Sequence, residues 1–453
     1  MSGVDVSVKN LEDVVSKLCL VLSEDQINAL ARETGFVQRQ TRITAKGFLR
    51  MLLFDHLQYE SPSLQQHALS LHDDNGQAVS KQAIDKRFND KALLFIRKLF
   101  EILLNQQMVK EHLPSDLSKR FSSVKVMDST EFKLPDCFAD EFPGYSASNA
   151  LACAAIQLEY DVLSRQIHYL SISSARESDK TVADRRMDAI SKGDLILRDL
   201  GYYSTDSYLK IEQREAFYVS RLKAQVCIYQ KRRGNYELLS WADILKKVQR
   251  KKDGCFDEWV YIGKEQKHPV RLMAWILSKQ EQQKRLQKKK SKKGRVSKND
   301  ITWSKLNVFI SNMDERAMSV QQLYHLYKIR WQIELLFKVW KSILNIASVH
   351  KMKAGRLRCY LYSKFIWVLI CWDITGMAES LTWKNTGTLM SPYKCMAILK
   401  TKAVELKNIL FGSKELLKEW LIKITGTLTI YGKKEERKNR IKLSNLLRLK
   451  RRK

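Results

Sequence analysis

The feature that most limits what this chain can fold into is a change of hydrophobic period near Ser122. Before it, apolar residues recur three and four apart, the spacing of a helix face. LEDVVSKLCLVL is an example, and SEDQINALARETGF follows with Ser23 placed as an N-cap. After it, short runs alternate or are wholly apolar. SSVKVMDS reads as a strand closing on Asp128, and ALACAAIQLEYDV (151–163) and RQIHYLSISSA (165–175) read as two more joined by a short turn. SDKTVADRRMDAI reads as a helix capped by Ser178. DLILRD is a short buried strand closing on Asp199, with Gly201 in the turn beyond it, and a helix over 204–214 leads to a fifth strand, FYVSRL.

Three meandering strands followed by alternating helix and strand is the order of a ribonuclease H-like fold. The expected class is therefore α/β: a ribonuclease H-like catalytic core with a mostly β insertion domain, flanked by helical N- and C-terminal regions. Strand-like pieces, GCFDEWVYIG and VRLMAWIL, fall in the insertion, and KLNVFIS returns to the core. The expected division is a helical DNA-binding region over 1–118, the core over 119–223 and 303–375, the insertion with a basic loop over 224–302, and a helical basic region over 376–453 suited to dimerisation. In an α/β sheet ligands gather at the carboxyl ends of strands, so Asp128 and Asp199 matter for position as well as type.

Charge names the partner class. Eighty Lys and Arg against 49 Asp and Glu leave a net charge of +31, and each cation set on a phosphate releases a condensed counterion. Ten of the twenty residues in KQEQQKRLQKKKSKKGRVSK are basic, which reads as a mobile solvated loop able to hold phosphate, and GKKEERKNRIKLSNLLRLKRRK is a second basic tract. The eight cysteines stand singly with no CxxC pair, which points to reduced thiols and disfavours a zinc site. No signal peptide is expected at MSGVDVSVKNLEDVV, and FIWVLICW (365–372) is too short to span a bilayer, so the expected setting is the bacterial cytoplasm, near the nucleoid, with no membrane partner. In the N-terminal region SLQQHALSLHDDNGQAVSKQAIDKRF reads as two short helices around DDNGQ, a helix-turn-helix that would turn Lys81, Gln82, Asp85 and Lys86 toward DNA, or else a plain helical hairpin.

A third acid sits in YKIRWQIELLFKVWKSIL, from Tyr327 to Leu344. At ~100° per residue, Tyr327, Arg330, Glu334 and Lys341 fall within roughly 60° of arc, opposite Ile329, Ile333, Leu336 and Trp340. Taken alone, Glu334 is better explained as a solvent-facing acid in an i,i+4 pair with Lys338. Taken with two strand-end aspartates, it completes the carboxylate set that two-metal phosphodiester chemistry requires, since Mg²⁺ takes oxygen ligands and keeps waters. Cations and a phenol beside it would hold a neighbouring phosphate.

With MDST around Asp128, RDLGYY around Asp199 and the spacing Tyr327-x2-Arg330-x3-Glu334-x6-Lys341, the chain resembles the DDE transposases of bacterial insertion sequences, in particular the cut-and-paste family named for insertion sequence four, whose Tyr-Arg-Glu-Lys signature is present in full. The resemblance covers roughly residues 120–346. It implies two Mg²⁺ ions, or Mn²⁺ in their place, on Asp128, Asp199 and Glu334, with Tyr327, Arg330, Lys338 and Lys341 on DNA phosphates. It implies cleavage at terminal inverted repeats, joining of the 3′-hydroxyl to target DNA, a hairpin on the way, and a dimer on paired ends. Some members stack a tryptophan on a flipped base; Asn307 stands near that place here, leaving Trp303 as the candidate. Another nuclease of the same fold and a non-catalytic DNA-binding derivative are the alternatives.

Overall fold

In a computed structural model the chain is described over residues 8–435, apart from 40, 77, 108–114, 146–149, 203–204, 266 and 295. From residue 436 onward the second basic tract lies outside the described residues. Six helices open the fold: α1 (Val8–Val21), α2 (Glu24–Glu33), α3 (Ala45–Gln58), α4 (Leu64–Asn75), α5 (Lys81–Arg87) and α6 (Asp90–Asn105). Their starts follow from side chains that satisfy the free N–H groups of a first turn: Ser23, Thr44, Ser63, Ser80 and Asn89 each accept one. Gly76 ends α4 in the left-handed conformation, the turn foreseen at DDNGQ.

The core strands are β1 (Ser123–Leu134), β2 (Ala152–Asp161), β3 (Ile167–Ser174), β4 (Asp194–Arg198) and β5 (Phe217–Arg221), with α7 (Asp179–Arg185) and α8 (Thr205–Gln213) between the later ones. Ser178 caps α7 as expected. The strands lie in the order β3-β2-β1-β4-β5, β1 antiparallel to β2 and parallel to β4, and β4 parallel to β5. This is the ribonuclease H-like arrangement. Asp128 is not the last residue of its strand, as the sequence suggested: β1 runs six residues further, paired only with β2. The pairing with β4, however, stops at Val126, so Asp128 still sits where the parallel part of the sheet opens.

Between β5 and the returning strand come β6 (Ile228–Arg232), β7 (Asn235–Leu238), α9 (Trp241–Arg250), β8 (Cys255–Ile262), β9 (His268–Ile276), α10 (Lys279–Lys293) and α11 (Lys298–Ser304). The returning strand β10 (Leu306–Ser311) pairs with β5 on one side and β9 on the other, so the inserted strands extend the core sheet to ten. The basic run read as a loop is the helix α10. It lacks an apolar face of its own, which is why its periodicity gave no sign of it, and it forms because its inner cations pack on Trp303.

Beyond β10 lie α12 (Val320–Ile329), α13 (Trp331–Ile343), α14 (Ala354–Thr386), α15 (Pro392–Thr401), α16 (Ala403–Ile409) and α17 (Lys414–Tyr431). Helix α14 runs through the division expected at 375. It is apolar on nearly all sides and 89% of its most hydrophobic window is buried, the pattern of a helix enclosed by protein. It packs on α1, α3, α6, α15 and α17. Two buried ion pairs fix it, Lys17 to Asp373 at 2.7 Å and Arg165 to Glu379 at 2.8 Å, tying the first helix and the β2–β3 turn to one spine. All eight cysteines are free thiols.

Candidate active site

Three elements bring one acid each to a single open cleft of about 690 Å³: Asp128 from β1, Asp199 from the residue after β4, and Glu334 from α13. Each element has its own reason to be there. Residues in β1 before Asp128 are buried and fixed between β2 and β4. Strand β4 is buried throughout, and the turn after it is held by Tyr202, whose hydroxyl donates to Gln157 Oε1 at 3.0 Å, while Gln157 Nε2 donates to Asp179 at 2.9 Å. Helix α13 buries Ile333, Leu336, Phe337 and Trp340 and so turns Glu334 the other way, as the wheel required.

The signature residues lie deeper than a solvent-facing stripe would. Tyr327 ends near the junction of α12 and α13 and donates its hydroxyl proton to Asp199 Oδ1 at 2.8 Å. Arg330 is the junction itself, its N–H donating to the Tyr327 carbonyl at 3.1 Å, so the expected single helix is two with a tight joint. Its guanidinium donates to Asp128 Oδ2 at 2.7 Å and to Glu334 Oε1 at 2.6 Å. Glu334 is thus paired backward with Arg330, not forward with Lys338. Lys338 is exposed at the rim, and Lys341 reaches across to the Glu131 carbonyl at 2.8 Å.

Electrostatics separate the two aspartates. Burial raises Asp128 to about 6, aided by the nearby Asp199 and Glu334, against the pull of Arg330 and the Ser129 N–H. Burial pushes Asp199 upward too, but Arg330, the Leu200 N–H, the Tyr327 hydroxyl and Arg221 outweigh it and hold Asp199 below its ordinary value. Burial opposes the Arg330 charge, yet Tyr327, Asp199, Asp128 and Glu334 together hold its proton more firmly than in water. One guanidinium thus interacts with all three carboxylates.

The remaining expected residues are not in the cleft. Trp303 is only 7% exposed; its indole N–H donates to the Leu222 carbonyl at 3.2 Å and its ring lies under Arg285 and Lys289, so as placed its face is already covered. Asn307 is buried and accepts from Arg285 at 3.2 Å. Lys81 and Gln82 are exposed at the start of α5, a helix of only seven residues. Asp85, read as facing a groove, instead pairs with Lys353 at 2.6 Å and lies 3.8 Å from Arg356. Sequence reasoning missed Gln157, Asp179 and Arg221. Gln157, an amide directly after the apolar run ACAAI of β2, was the one visible signal.

Residues 119–370, more than half the chain, match the family described as "Transposase DDE domain". The chain belongs to the DDE transposases of insertion sequences. The curated relatives agree over nearly its whole length. The transposase for insertion sequence element IS231F of Bacillus thuringiensis subsp. israelensis is 28% identical over 95% of this chain and 93% of its own, and that for IS231B of subsp. berliner is 29% identical over 94% and 92%. The transposase for IS1151 of Clostridium perfringens is 26% identical over 94% and 93%. A solved piggyBac transposase, in a synaptic complex with hairpin DNA, aligns with a TM-score of 0.47 at 10% identity over 91% of this chain and 85% of its own, too loose a likeness to bear on function.

DDE transposases cut and transfer DNA and generally work with divalent metal ions. The donor set here fits such ions in kind: three carboxylates, no thiol or imidazole, on an open cleft. Among the described residues no three acids, histidines or cysteines are grouped closely enough to form a ready cage. The reason is visible: Arg330 stands between Asp128 and Glu334. Bound ions would have to take over the charge balance that this guanidinium now supplies.

Proposed function

We propose that this transposase cleaves DNA at the ends of its insertion sequence and joins the freed 3′-hydroxyl to target DNA. The observation that carries the reading is the meeting of Asp128, Asp199 and Glu334, from three elements far apart in sequence, on one cleft. These residues would hold two divalent ions, Mg²⁺ or Mn²⁺, which supply a deprotonated attacking oxygen and stabilise the leaving one. In the first cut a water oxygen bonds to phosphorus as the P–O3′ bond breaks, leaving a 3′-hydroxyl. In transfer that hydroxyl attacks a phosphodiester of the opposite strand, one P–O bond replacing another, to give a hairpin; a second water then breaks the new P–O3′ bond and restores the 3′-hydroxyl, which attacks target DNA in the same way.

The chain's own residues position the DNA. Arg330, once drawn off the acids by a phosphate, neutralises it at the cleft floor, and Lys338 and Lys341 take phosphates at the rim. Tyr327 keeps Asp199 oriented by its hydrogen bond. Recognition of the terminal inverted repeats is assigned to the helical region 1–118, with Lys81 and Gln82 at its exposed α5 edge, and dimerisation on paired ends to 376–453.

The test is cleavage of a duplex bearing the repeat that borders the gene, with Asp128→Ala, Asp199→Ala and Glu334→Ala. Each should abolish metal-dependent nicking and leave binding of that duplex nearly intact. Nicking at the unmodified rate by any of the three would remove that residue from the site.

A further inference from the structure

The helix α10 is a chemical oddity that the cleft does not explain. It carries one carboxylate, Glu281, which is committed to the capping box at the first turn, accepting from the Ser278 hydroxyl at 2.7 Å and its N–H at 3.1 Å. Beyond that turn every charge is positive. Two of them face inward: Arg285 donates to the Leu306 carbonyl at 2.8 Å and to Asn307 Oδ1 at 3.2 Å, and Lys289 pairs with Asp300, with both cations over the Trp303 ring at 5.7 and 4.3 Å. Lys279, Lys284, Lys288 and Lys290 are exposed, and among the described residues none of them makes an ion pair.

A helix face kept merely for solubility mixes signs and gains from Glu–Lys pairs at i,i+4. Here Lys284 and Lys288 stand at that spacing with like charge, which destabilises a free helix. The fold tolerates this by clamping the inner face to Trp303 and Asp300. The clamp also sets position: Arg285 grips the first residues of β10, and Phe309 of the same strand packs its ring 4.7 Å from that of Tyr327, which bonds Asp199. The cationic helix is therefore linked through β10 to α12, which carries Tyr327, and extends for fifteen residues, about 22 Å, the span of roughly six phosphates along one strand.

We propose that α10 is a backbone-binding rail for duplex DNA, its outer lysines Lys279, Lys284, Lys288 and Lys290 contacting phosphates beside the cleavage cleft while Arg285, Lys289 and Trp303 hold it in place. This rests on the reading of the cleft as a DNA-cutting site. Duplex DNA is the partner the observations favour, since α10 is tied through β10 to Tyr327 and the acid it bonds, and its outer lysines match a phosphate track in sign and length; an anionic lipid surface is the competing outcome.

The experiment uses the full chain and glutamine, which keeps helix propensity and removes charge. Lys284→Gln/Lys288→Gln and the fourfold variant with Lys279→Gln and Lys290→Gln are compared with the unmodified protein by fluorescence anisotropy on the end-bearing duplex over a KCl series. Circular dichroism checks that the helix content is kept. The slope of log affinity against log salt should become shallower by about 0.9 for each lysine that contacts a phosphate, so by about 2 in the double and up to about 4 in the fourfold variant. An unchanged slope overturns the rail. Vesicles of phosphatidylserine and phosphatidylcholine form the second arm, and binding to them that depends on the four lysines, with an unchanged DNA slope, also overturns it. Because the unmodified protein is assayed for nicking in parallel, failure of the cleft reading appears there first: a protein that binds and nicks with a salt slope insensitive to the lysines refutes α10 alone.

Discussion

The carboxylate at the centre of the cleft should weaken the fold that carries it. Asp128 ordinarily titrates at 3.8 and is raised to about 6 by burial. A raised carboxylate favours the protonated form in the folded state, so its contribution to stability is full below about 3.8, falls as pH rises, and levels off above about 6 as a penalty of about 3 kcal/mol. Asp128→Asn removes that titration while keeping an oxygen that can accept from Arg330. With two-state linkage, the variant's advantage attributable to the charge should be roughly 1.5 kcal/mol at pH 5 and about 3 kcal/mol at pH 8. Urea unfolding of chelator-treated protein at both pH values measures this, and the change in the difference between the two proteins isolates the carboxylate from other effects of the substitution. A difference that stays flat from pH 5 to pH 8, or shrinks, would refute the account of Asp128 as a desolvated acid. The opposite slope would mean that Arg330 dominates its environment.

Arg330→Ala should destabilise the metal-free protein by about 3 kcal/mol, because it leaves Asp128 and Glu334 unpaired in a partly buried cleft; Mn²⁺ should then raise its melting temperature more than that of the unmodified protein, measured by scanning calorimetry. Gly201→Ala should cut nicking on the order of tenfold to a hundredfold with end binding kept, measured on the end-bearing duplex. A methyl there would lie 2.6 Å from Asp179 Oδ2, whose carboxylate cannot retreat without loosening the Gln157 bond behind the Asp199 turn. His67→Ala should cost about 3 kcal/mol in urea unfolding, since His67 lies buried 2.6 Å from Asp55 and 2.7 Å from the Tyr360 hydroxyl; Tyr360 would lose this partner and the buried Asp55 would be left with the Ser70 hydroxyl.

Much of this architecture could be read from the chain because it is written in local chemistry. The caps Ser23, Ser80 and Ser178 announce helices by satisfying first-turn N–H groups, and the shift to alternating apolar residues at Ser122 announces the sheet. The order of elements then placed Asp128 and Asp199 near each other without any contact being visible. What stayed hidden depends on distant partners. The extension of β1 beyond Asp128 is polar and has only β2 to justify it. The helicity of α10 depends on Trp303, which the sequence offered as a stacking residue for DNA. Arg330 and Tyr327 were legible as a signature but not as partners of the acids, because those contacts bridge 202 and 128 residues of sequence.

The place of β10 between β5 and β9 has a geometric consequence. A separate insertion domain could swing on its linkers; a set of strands hydrogen-bonded into the same sheet cannot. The inserted strands are therefore held at a fixed offset from β4 and β5, and so from Asp199 at the end of β4. Sheet register changes in steps of two residues if side chains are to keep their faces, and one such step moves a strand by about 6.8 Å. Any change in the offset between the inserted strands and the core must come in such steps at the pairing of Phe309 with Arg221 and Met273.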